Sequence, residues 1–197
     1  MIEGMGEVGQ AIEKIFGREG DILHICFPYS EEFVDEVKRY QKRYNPKFTV
    51  IHSTVPVGTS RKCGALHSPI RGLHPNLESG IRTFPKFIGG KDASLVADYF
   101  RRKGLKVILF DTQEETELAK LLDTEYYRVC IEFVQRAYQL ADSHSVPFHS
   151  VYTIPNQTYN EGYTKLGYPE YQRPVLQPIM TPISGHCVIP NSKLIKL

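Results

Sequence analysis

The chain has 197 residues, of which 41% are hydrophobic and 23% are charged, and its formal net charge at pH 7 is +2. This composition is typical of an ordinary globular protein, and the length allows one large domain with a small appendage. The charge is too small to indicate a nucleic-acid partner, and no apolar run approaches the roughly 20 residues of a membrane span. No signal peptide is visible either, so we expect a cytoplasmic protein without membrane or nucleic-acid partners.

Cysteine and histidine spacing argues against disulfides and metal sites. The four cysteines are far apart and contain no C-x-x-C pair: Cys26, Cys63, Cys130 and Cys187. We therefore expect free thiols rather than a zinc ribbon or a disulfide framework. The seven histidines never pair at i, i+4 on a predicted helix with a nearby carboxylate, so no metal site is predicted.

Short β-rich runs alternate with amphipathic stretches in the first third of the chain. The pattern predicts strands over residues 1–3, 21–27 and 48–54, and helices over 7–16 and 31–44. Such a rhythm is typical of an α/β fold with a parallel sheet. Further predicted elements are strands over 63–67, 86–90 and 106–110, and a helix over 93–103 that ends at Gly104.

Residues 114–143 show the strongest helical pattern. Their apolar side chains recur at helical spacing: Leu118, Leu121, Leu122, Val129, Cys130, Phe133, Val134, Ala137, Leu140 and Ala141. A helix of about 30 residues would be about 45 Å long, and its wide apolar face favours a homodimer. After Pro147 the sequence predicts a short helical piece followed by loops. We therefore divide the chain into a sheet domain, 1–111, and a helical region, 112–197.

The segment EGMGEVGQAIEKIF contains the pattern G-x-G-x-x-G where a strand should turn into a helix. The first two glycines would permit a tight turn and close approach of a pyrophosphate, and the third would let the helix pack on the strand. The βα rhythm that follows favours dinucleotide binding over the alternative, a purely structural glycine turn. The predicted cofactor-binding residues are Gly4, Met5, Gly6, Glu7, Val8 and Gly9. No acidic residue ends an obvious second strand, so the choice between NAD and NADP stays open.

Four further segments carry a family resemblance. They are STVPVGT at 53–59, the run from SPIRGLHPN to PKFIGG, the helix ELAKLLDTEYYRVCIEFVQRAYQLA, and GHCVIP near the C-terminus. In this order they resemble the UDP-glucose/GDP-mannose dehydrogenase family, nucleotide-sugar dehydrogenases within the 6-phosphogluconate dehydrogenase-like superfamily. The resemblance implies a reduced or truncated member with a shortened Rossmann-type parallel sheet, a long helix and a small helical or loop region. In the family strand order 3-2-1-4-5-6, direct passage from strand 1 to strand 4 removes two edge strands but leaves a contiguous sheet.

The resemblance implies NAD(P)-dependent oxidation of a sugar C6 alcohol, with a nucleotide sugar as substrate. It makes Cys187 the nucleophile that captures the aldehyde as a thiohemiacetal, because a thiolate is nucleophilic near neutral pH. Lys120 would stabilise developing oxyanion charge, and Thr54 and Glu117 would flank the cleft. Further cofactor contacts are expected from Pro28, Ser53 and Thr54. The alternatives are a buried, unreactive Cys187 and a solvated Lys120.

Three positions depart from the family pattern. Ile70 stands where the family has the glutamate of S-P-E, Thr124 replaces the helix asparagine, and Asn191 replaces the aspartate four residues after the cysteine. An aliphatic side chain or an amide cannot act as a general base, so hydrolysis to the acid is in question. Oxidation that stops after a single two-electron step is therefore an alternative. The candidate catalytic residues are Cys187, Lys120, Thr54, Asn191 and Thr124.

The sequence thus supports a leading hypothesis and two alternatives. The leading one is an NAD(P)-dependent oxidoreductase that acts on a sugar alcohol with a cysteine-assisted step. The second is a non-catalytic relative that binds a nucleotide or a protein partner. A third rests on GLHPN, which resembles the histidine-proline turn of prephenate dehydrogenases and would give His74 a contact with a substrate carboxylate.

Overall fold

The computed structural model of the chain describes residues 1–178 and 188–195. The strands in these residues are β1 (Ile2–Glu3), β2 (Ile22–Ile25), β3 (Phe48–Ile51), β4 (Leu66–His67), β5 (Lys86–Gly89) and β6 (Val107–Phe110). The α-helices are α1 (Glu7–Phe16), α2 (Phe33–Tyr44), α3 (Thr59–Lys62), α4 (Leu77–Thr83), α5 (Ala93–Arg102), α6 (Gln113–Ser143), α7 (Ile154–Lys165) and α8 (Val188–Ser192). A π-helical turn, His149–Thr153, precedes α7, and a 3₁₀ turn, Pro169–Tyr171, follows it.

The predicted α/β architecture is confirmed, including the long helix and the small C-terminal helices. Helices α3 and α4 have no counterpart in the sequence-based prediction, because helices of four and seven residues are too short to show a clear apolar period. The short helical piece predicted after Pro147 corresponds to α7, whose 12 residues contain no buried side chain and so carry no apolar stripe that would predict its bounds.

The strands of the sheet lie in chain order, β1-β2-β3-β4-β5-β6. β1 pairs in parallel with β2, which confirms direct passage from the first strand to its neighbour through α1. The parallel sheet is confirmed except for one pair, because β5 runs antiparallel to β4. The chain turns back at the edge where β4 ends: Lys86, the first residue of β5, donates from Nζ to the carbonyl oxygens of Ser68 and Pro69 at 2.8 and 2.7 Å.

Both faces of the sheet are covered by helices. Ile22 of β2 packs in the hydrophobic cluster that contains residues of α1, α4 and α5, including the fully buried Phe100. Its neighbour Leu23 packs in a second cluster with Phe33 and Val37 of α2. Successive strand residues point to opposite faces, so a strand that is covered on both sides is apolar throughout, as β2 nearly is.

The described residues divide into two compact units. The first contains the sheet and extends along α6 to Leu122, and the second begins at Asp123. In the second unit Val134 and Ala141 of α6 are buried, and the rings of Phe148 and Tyr152 stack at 4.8 Å between centroids. Among the helices of the described residues, we find none with both the length and the apolar character of a membrane span.

Three histidines and one lysine are almost completely buried in and beside the sheet: His24, His52, His67 and Lys86. His24 Nδ1 lies 2.9 Å from His52 Nε2, and His52 Nδ1 lies 2.8 Å from the carbonyl oxygen of Ser68. Because a carbonyl only accepts, Nδ1 of His52 carries the hydrogen and its Nε2 accepts one from His24. Burial lowers the pKa of His24 to about 3 and that of His52 well below its ordinary value. Both imidazoles are therefore neutral, and they link β2 to the carbonyl oxygen of Ser68 by hydrogen bonds.

Mild acid should destabilise this sheet. In the folded chain His24 and His67 resist protonation because burial lowers the pKa of each to about 3. An unfolded histidine is protonated below about pH 6.5, so the unfolded state binds more protons as the pH falls below that value. Stability is therefore full above pH 6.5 and decreases on acidification, by about 2 kcal/mol per buried histidine at pH 5.

Urea denaturation at pH 7 and pH 5 measures this loss. His24→Gln should lower the stability at pH 7, because it disrupts the bond to His52, but should reduce the difference between the two pH values. His149 is exposed, so His149→Gln provides the control and should leave the difference unchanged. If the stability of His24→Gln fell between pH 7 and pH 5 by as much as that of the wild type, the buried His24 would not be a source of the acid sensitivity.

Candidate functional site

The carboxyl ends of the first four strands meet at one edge of the sheet. Glu3 lies opposite Ile25, Ile25 opposite Ile51, and Ile51 opposite His67. The loops that follow these strands therefore begin side by side. In open α/β sheets this edge is where ligands bind.

Two of the three glycines in the loop after β1 are required by packing inside the protein. Gly4 has φ +91°, and a Cβ on it would lie 2.5 Å from the backbone nitrogen of Phe27. A Cβ on Gly9 would lie 1.9 Å from the carbonyl oxygen of Gly4. Gly4 therefore allows the loop to approach the chain after β2, and Gly9 allows α1 to pack against the loop.

Gly6 differs from the other two glycines. Its φ of −69° suits any residue, and no described atom lies within 4 Å of the position that a Cβ would take. Gly6 is the N-cap of α1, and no described side chain caps that helix. The uncapped amides and the helix dipole favour an anion at this point, and the missing side chain leaves room for one. The loop therefore fits the pyrophosphate of a dinucleotide.

The other predicted residues of the loop have distinct environments. Met5 and Glu7 are exposed, whereas Val8 is half-buried and packs against the hydrophobic core. The Glu7 carboxylate contacts Nδ1 of His74, so the loop at 71–76 lies beside the first turn of α1. His74 thus meets a side chain of the glycine loop.

The loops after β2 and β3 are joined at Phe27. Ser53 Oγ donates a hydrogen bond of 2.6 Å to the carbonyl oxygen of Phe27, whose backbone nitrogen is the atom that Gly4 approaches. The glycine loop thus meets the loop after β3, residues 53–58, at the backbone of Phe27. We call this second loop the Ser53 loop. Pro28, the next residue, is exposed, and Thr54 is half-buried. The structure therefore brings Gly4 and Ser53 together at Phe27, and Pro28 and Thr54 are their neighbours along the chain.

Side chains of helix α6 bind the Ser53 loop, directly through Glu117 and indirectly through His67. His67 Nε2 lies 3.2 Å from the carbonyl oxygen of Ser53, and His67 Nδ1 lies 2.8 Å from Thr116 Oγ1. The carboxylate of Glu117 accepts hydrogen bonds from the backbone amides of Gly58 at 2.6 Å and Ser60 at 2.7 Å. Burial raises the pKa of Glu117, and these hydrogen bonds oppose the rise.

Lys120 follows Glu117 by nearly one turn of α6 and is half-buried. Burial is the main cause that lowers the pKa of Lys86 well below its ordinary value, and the charge of Lys120 contributes to the shift. Lys120 also contributes to the low pKa of His67. The ammonium group is therefore close enough to the buried histidine and lysine at this edge of the sheet to affect them electrostatically.

The remaining catalytic candidates are Thr124, Asn191 and Cys187. Thr124 and Asn191 are buried in the second unit, with 9% and 6% of their surface exposed, and Cys187 lies outside the described residues. Ile70 is 8% exposed and packs in the hydrophobic cluster with α1, α4 and α5, so its side chain contributes no polar group to the edge of the sheet. Within residues 1–178 and 188–195 no three histidine, cysteine or acidic side chains form a group that could hold a metal ion.

Sequence reasoning missed the two residues that hold the site together. Phe27 acts through its backbone, which leaves no signal in side-chain identity. The bond of His67 to Thr116 spans 49 positions in the sequence, so no local motif indicates it. The available signal was the place of His67 at the end of a predicted strand, where a polar side chain lies at the edge of the sheet.

Solved structures with a similar fold are dehydrogenases. The UDP-D-ManNAc dehydrogenase of Pyrococcus horikoshii has a TM-score of 0.69 and 16% identity, over 93% of this chain and 47% of that one. The UDP-N-acetyl-mannosamine dehydrogenase Cap5O of Staphylococcus aureus has a TM-score of 0.63 and 17% identity, over 89% and 48%. The 3-hydroxyisobutyrate dehydrogenase of Mycobacterium tuberculosis has a TM-score of 0.53 and 16% identity, over 69% and 50%.

The chain has the fold of nucleotide-sugar dehydrogenases. This confirms the fold that the resemblance implied, and at these identities the likeness concerns the fold alone. The chain spans about half the length of each of the three structures. Its sequence matches no protein-family model and no curated protein at a significant level.

Proposed function

We propose that the chain is an NAD(P)-dependent oxidoreductase that oxidises the alcohol of a sugar, with a nucleotide sugar as substrate. The observation that carries the proposal is the arrangement around Phe27, where the glycine loop and the Ser53 loop meet beside the open, uncapped N-terminus of α1. The similarity in fold to two UDP-N-acetylmannosamine dehydrogenases supports the substrate class.

Different residues of the first unit would bind the pyrophosphate, the nicotinamide and the substrate oxygen. The amides of residues 4–9 would hold the pyrophosphate, because they carry the positive end of the helix dipole and Gly6 adds no side chain. Pro28, Ser53 and Thr54 would line the nicotinamide side. A bound nicotinamide supplies the chemistry of hydride acceptance. Lys120 would stabilise the negative charge that develops on the substrate oxygen as its proton leaves.

Cys187 would take part after the first oxidation. Its sulfur would add to the carbonyl carbon of the aldehyde while the carbonyl oxygen takes up a proton, which gives a thiohemiacetal. Hydrolysis of a later thioester needs a group that can activate water, and Ile70, packed in the core, is no such group. We therefore propose that oxidation by this chain is slow beyond the first two-electron step, so that the wild type releases aldehyde and forms carboxylate only slowly.

A binding protein without turnover is the second candidate function. It is favoured by the burial of Ile70 in the core and of Thr124 and Asn191 in the second unit, since these are the three positions that depart from the family pattern. Such a protein would bind the dinucleotide at the glycine loop but would produce no reduced cofactor at 340 nm.

The apolar surface of the second unit supports a homodimer. Large side chains on α6 and the π-helical turn before α7 are about half exposed or more: Tyr126, Tyr127, Val129, Phe133, Leu140 and Val151. An open hollow of about 640 Å³ lies among Phe133, Leu140, Val146 and Tyr152. Exposed large apolar side chains around such a hollow are typical of an interaction site, and we propose that a second copy covers them.

Dinucleotide binding tests the proposed site directly. Gly6→Val places a branched side chain in the open space at the N-terminus of α1, so the dissociation constant for NAD⁺ or NADP⁺ should rise at least about tenfold in calorimetric titration. Gly6→Ala, with a single methyl group, is the matched variant and should weaken binding less. The urea midpoint of both variants should stay near that of the wild type, because the added atoms meet no described neighbour. Unchanged affinity in Gly6→Val would contradict the site.

The role of Cys187 is tested separately. Cys187→Ser should abolish formation of any carboxylate product from a UDP-sugar, because an alkoxide leaves far less readily than a thiolate. Dinucleotide affinity should stay within a few fold, since the sulfur acts on the aldehyde. Product analysis by mass spectrometry, with Cys63→Ser as control, measures the effect. Carboxylate formation at the wild-type rate would remove Cys187 from the reaction.

The proposed dimer depends on the exposed apolar side chains of α6. Leu140→Asp should shift the chain toward monomers in analytical ultracentrifugation, because a charge in an apolar interface loses its hydration. Gln139→Asp adds the same charge at an exposed position about 100° around the helix and should have a smaller effect. A wild-type chain that stays monomeric at high concentration would contradict the proposal.

A further inference from the structure

Two neighbouring residues of α6 hold the two ends of the segment that carries Thr54. At one end, Thr116 is linked through His67 to the carbonyl oxygen of Ser53. At the other end, Glu117 binds the amides of Gly58 and Ser60. The segment between these anchors is only a few residues long, and the side chain of Val55 within it is fully buried. The position of Thr54 is therefore determined largely by α6.

The local backbone explains why a carboxylate is suited to the second anchor. Gly58 is left-handed, with φ +88°, and it precedes the four-residue helix α3. A left-handed residue before a right-handed one turns successive amides toward a common point, where an anion binds well. No described side chain within α3 caps its first turn, and Glu117 performs this role from 57 positions away. Hydrogen bonds of 2.6 and 2.7 Å to a carboxylate are charge-assisted and strong.

The same face of α6 also presents the candidate catalytic lysine. Lys120 follows Thr116 by four residues and Glu117 by three, so all three lie on one side of the helix. All three also belong to the first compact unit. Any shift of α6 along its axis would move the anchors of the Thr54 segment and Lys120 together.

We propose that Glu117 is a positioning residue: by holding the amides of Gly58 and Ser60, it fixes Thr54 at a set distance from Lys120 in the active site. The inference rests on the proposed function, because it assigns Thr54 and Lys120 to the reaction. It departs from the sequence-based interpretation, in which Glu117 lines the cleft. Glu117 is fully buried and both of its oxygens are engaged by backbone amides, so it acts through the loop.

Two measurements on Glu117→Gln test the inference. The first is hydrogen exchange of the Gly58 and Ser60 amides by NMR, which should become faster because the amide group of glutamine can accept only one of the two bonds. The second is turnover of NAD⁺ with UDP-glucose and UDP-N-acetylmannosamine as probes. The kcat should fall roughly tenfold to a hundredfold, because the reacting groups are misplaced. The NAD⁺ dissociation constant should rise much less than kcat falls, since the glycine loop that would hold the pyrophosphate is untouched and Thr54 would supply only part of the cofactor contacts.

Glu114→Gln is the matched control. Glu114 lies on the first turn of α6 and pairs with the Arg61 side chain of α3 at 2.5 Å, so this variant loses an ion pair to the same helix without losing the amide bonds. Its amide exchange and its kcat should match the wild type. Glu117→Asp keeps the charge on a shorter side chain and should recover part of the kcat, which also provides a usable variant if Glu117→Gln fails to fold.

The outcomes separate this inference from the proposed function. Wild-type kcat or wild-type amide exchange in Glu117→Gln would overturn the positioning role. An equal loss of kcat and of NAD⁺ affinity would also overturn it, because that pattern indicates general destabilisation. A wild-type chain that reduces no NAD⁺ would overturn the proposed function, whereas the exchange measurement would still show whether Glu117 holds the loop.

Discussion

The close approach of Gly4 to Phe27 is the constraint on which the rest of the site depends. A Cβ on Gly4 would lie 2.5 Å from the Phe27 nitrogen, so the first loop can lie against the second only without a side chain at this position. Gly9 then allows α1 to pack against the same loop, and this aims the helix N-terminus at the space beside Gly6. Since Ser53 binds the other side of the Phe27 peptide segment, one contact fixes the relation among three loops. The proposed anion site is thus a consequence of packing around Gly4 and Gly9.

Helix α6 has a second structural role besides its packing. Its first turns are joined to the sheet domain by polar bonds rather than by an apolar stripe alone: Gln113 Nε2 donates to the carbonyl oxygen of Ala65 at 3.1 Å, Thr116 binds the His67 ring, and Glu117 binds the amides of Gly58 and Ser60. Polar bonds fix direction and spacing more strictly than apolar contacts do, because their energy depends on angle as well as distance. This suits a helix that must hold a loop in register.

The order of elements could be predicted from the sequence, because strands and helices in this chain carry clear apolar patterns. The strand at 21–27 and the helix at 7–16 are examples, and so is the glycine turn between β1 and α1. The antiparallel pairing of β5 could not be predicted in this way, since a short apolar run contains no information on its direction. The hydrogen bonds that anchor the Ser53 loop could not be predicted from the sequence either. His67 lies 14 positions from its partner and Glu117 at least 57 positions from its partners, and single side chains at such separations leave no local pattern.

The fold also explains why neutral histidines are suited to the interior of this site. The peptide groups that follow β3 and β4 no longer pair fully with neighbouring strands, and a buried carbonyl oxygen without a donor is costly. His52 supplies a donor to Ser68, and His67 supplies one to Ser53, while the second nitrogen of each ring is engaged by His24 or Thr116. A serine in either place would be too short to join two distant groups. The imidazole ring spans the gap and, because burial lowers the pKa of these histidines, does so without charge at neutral pH.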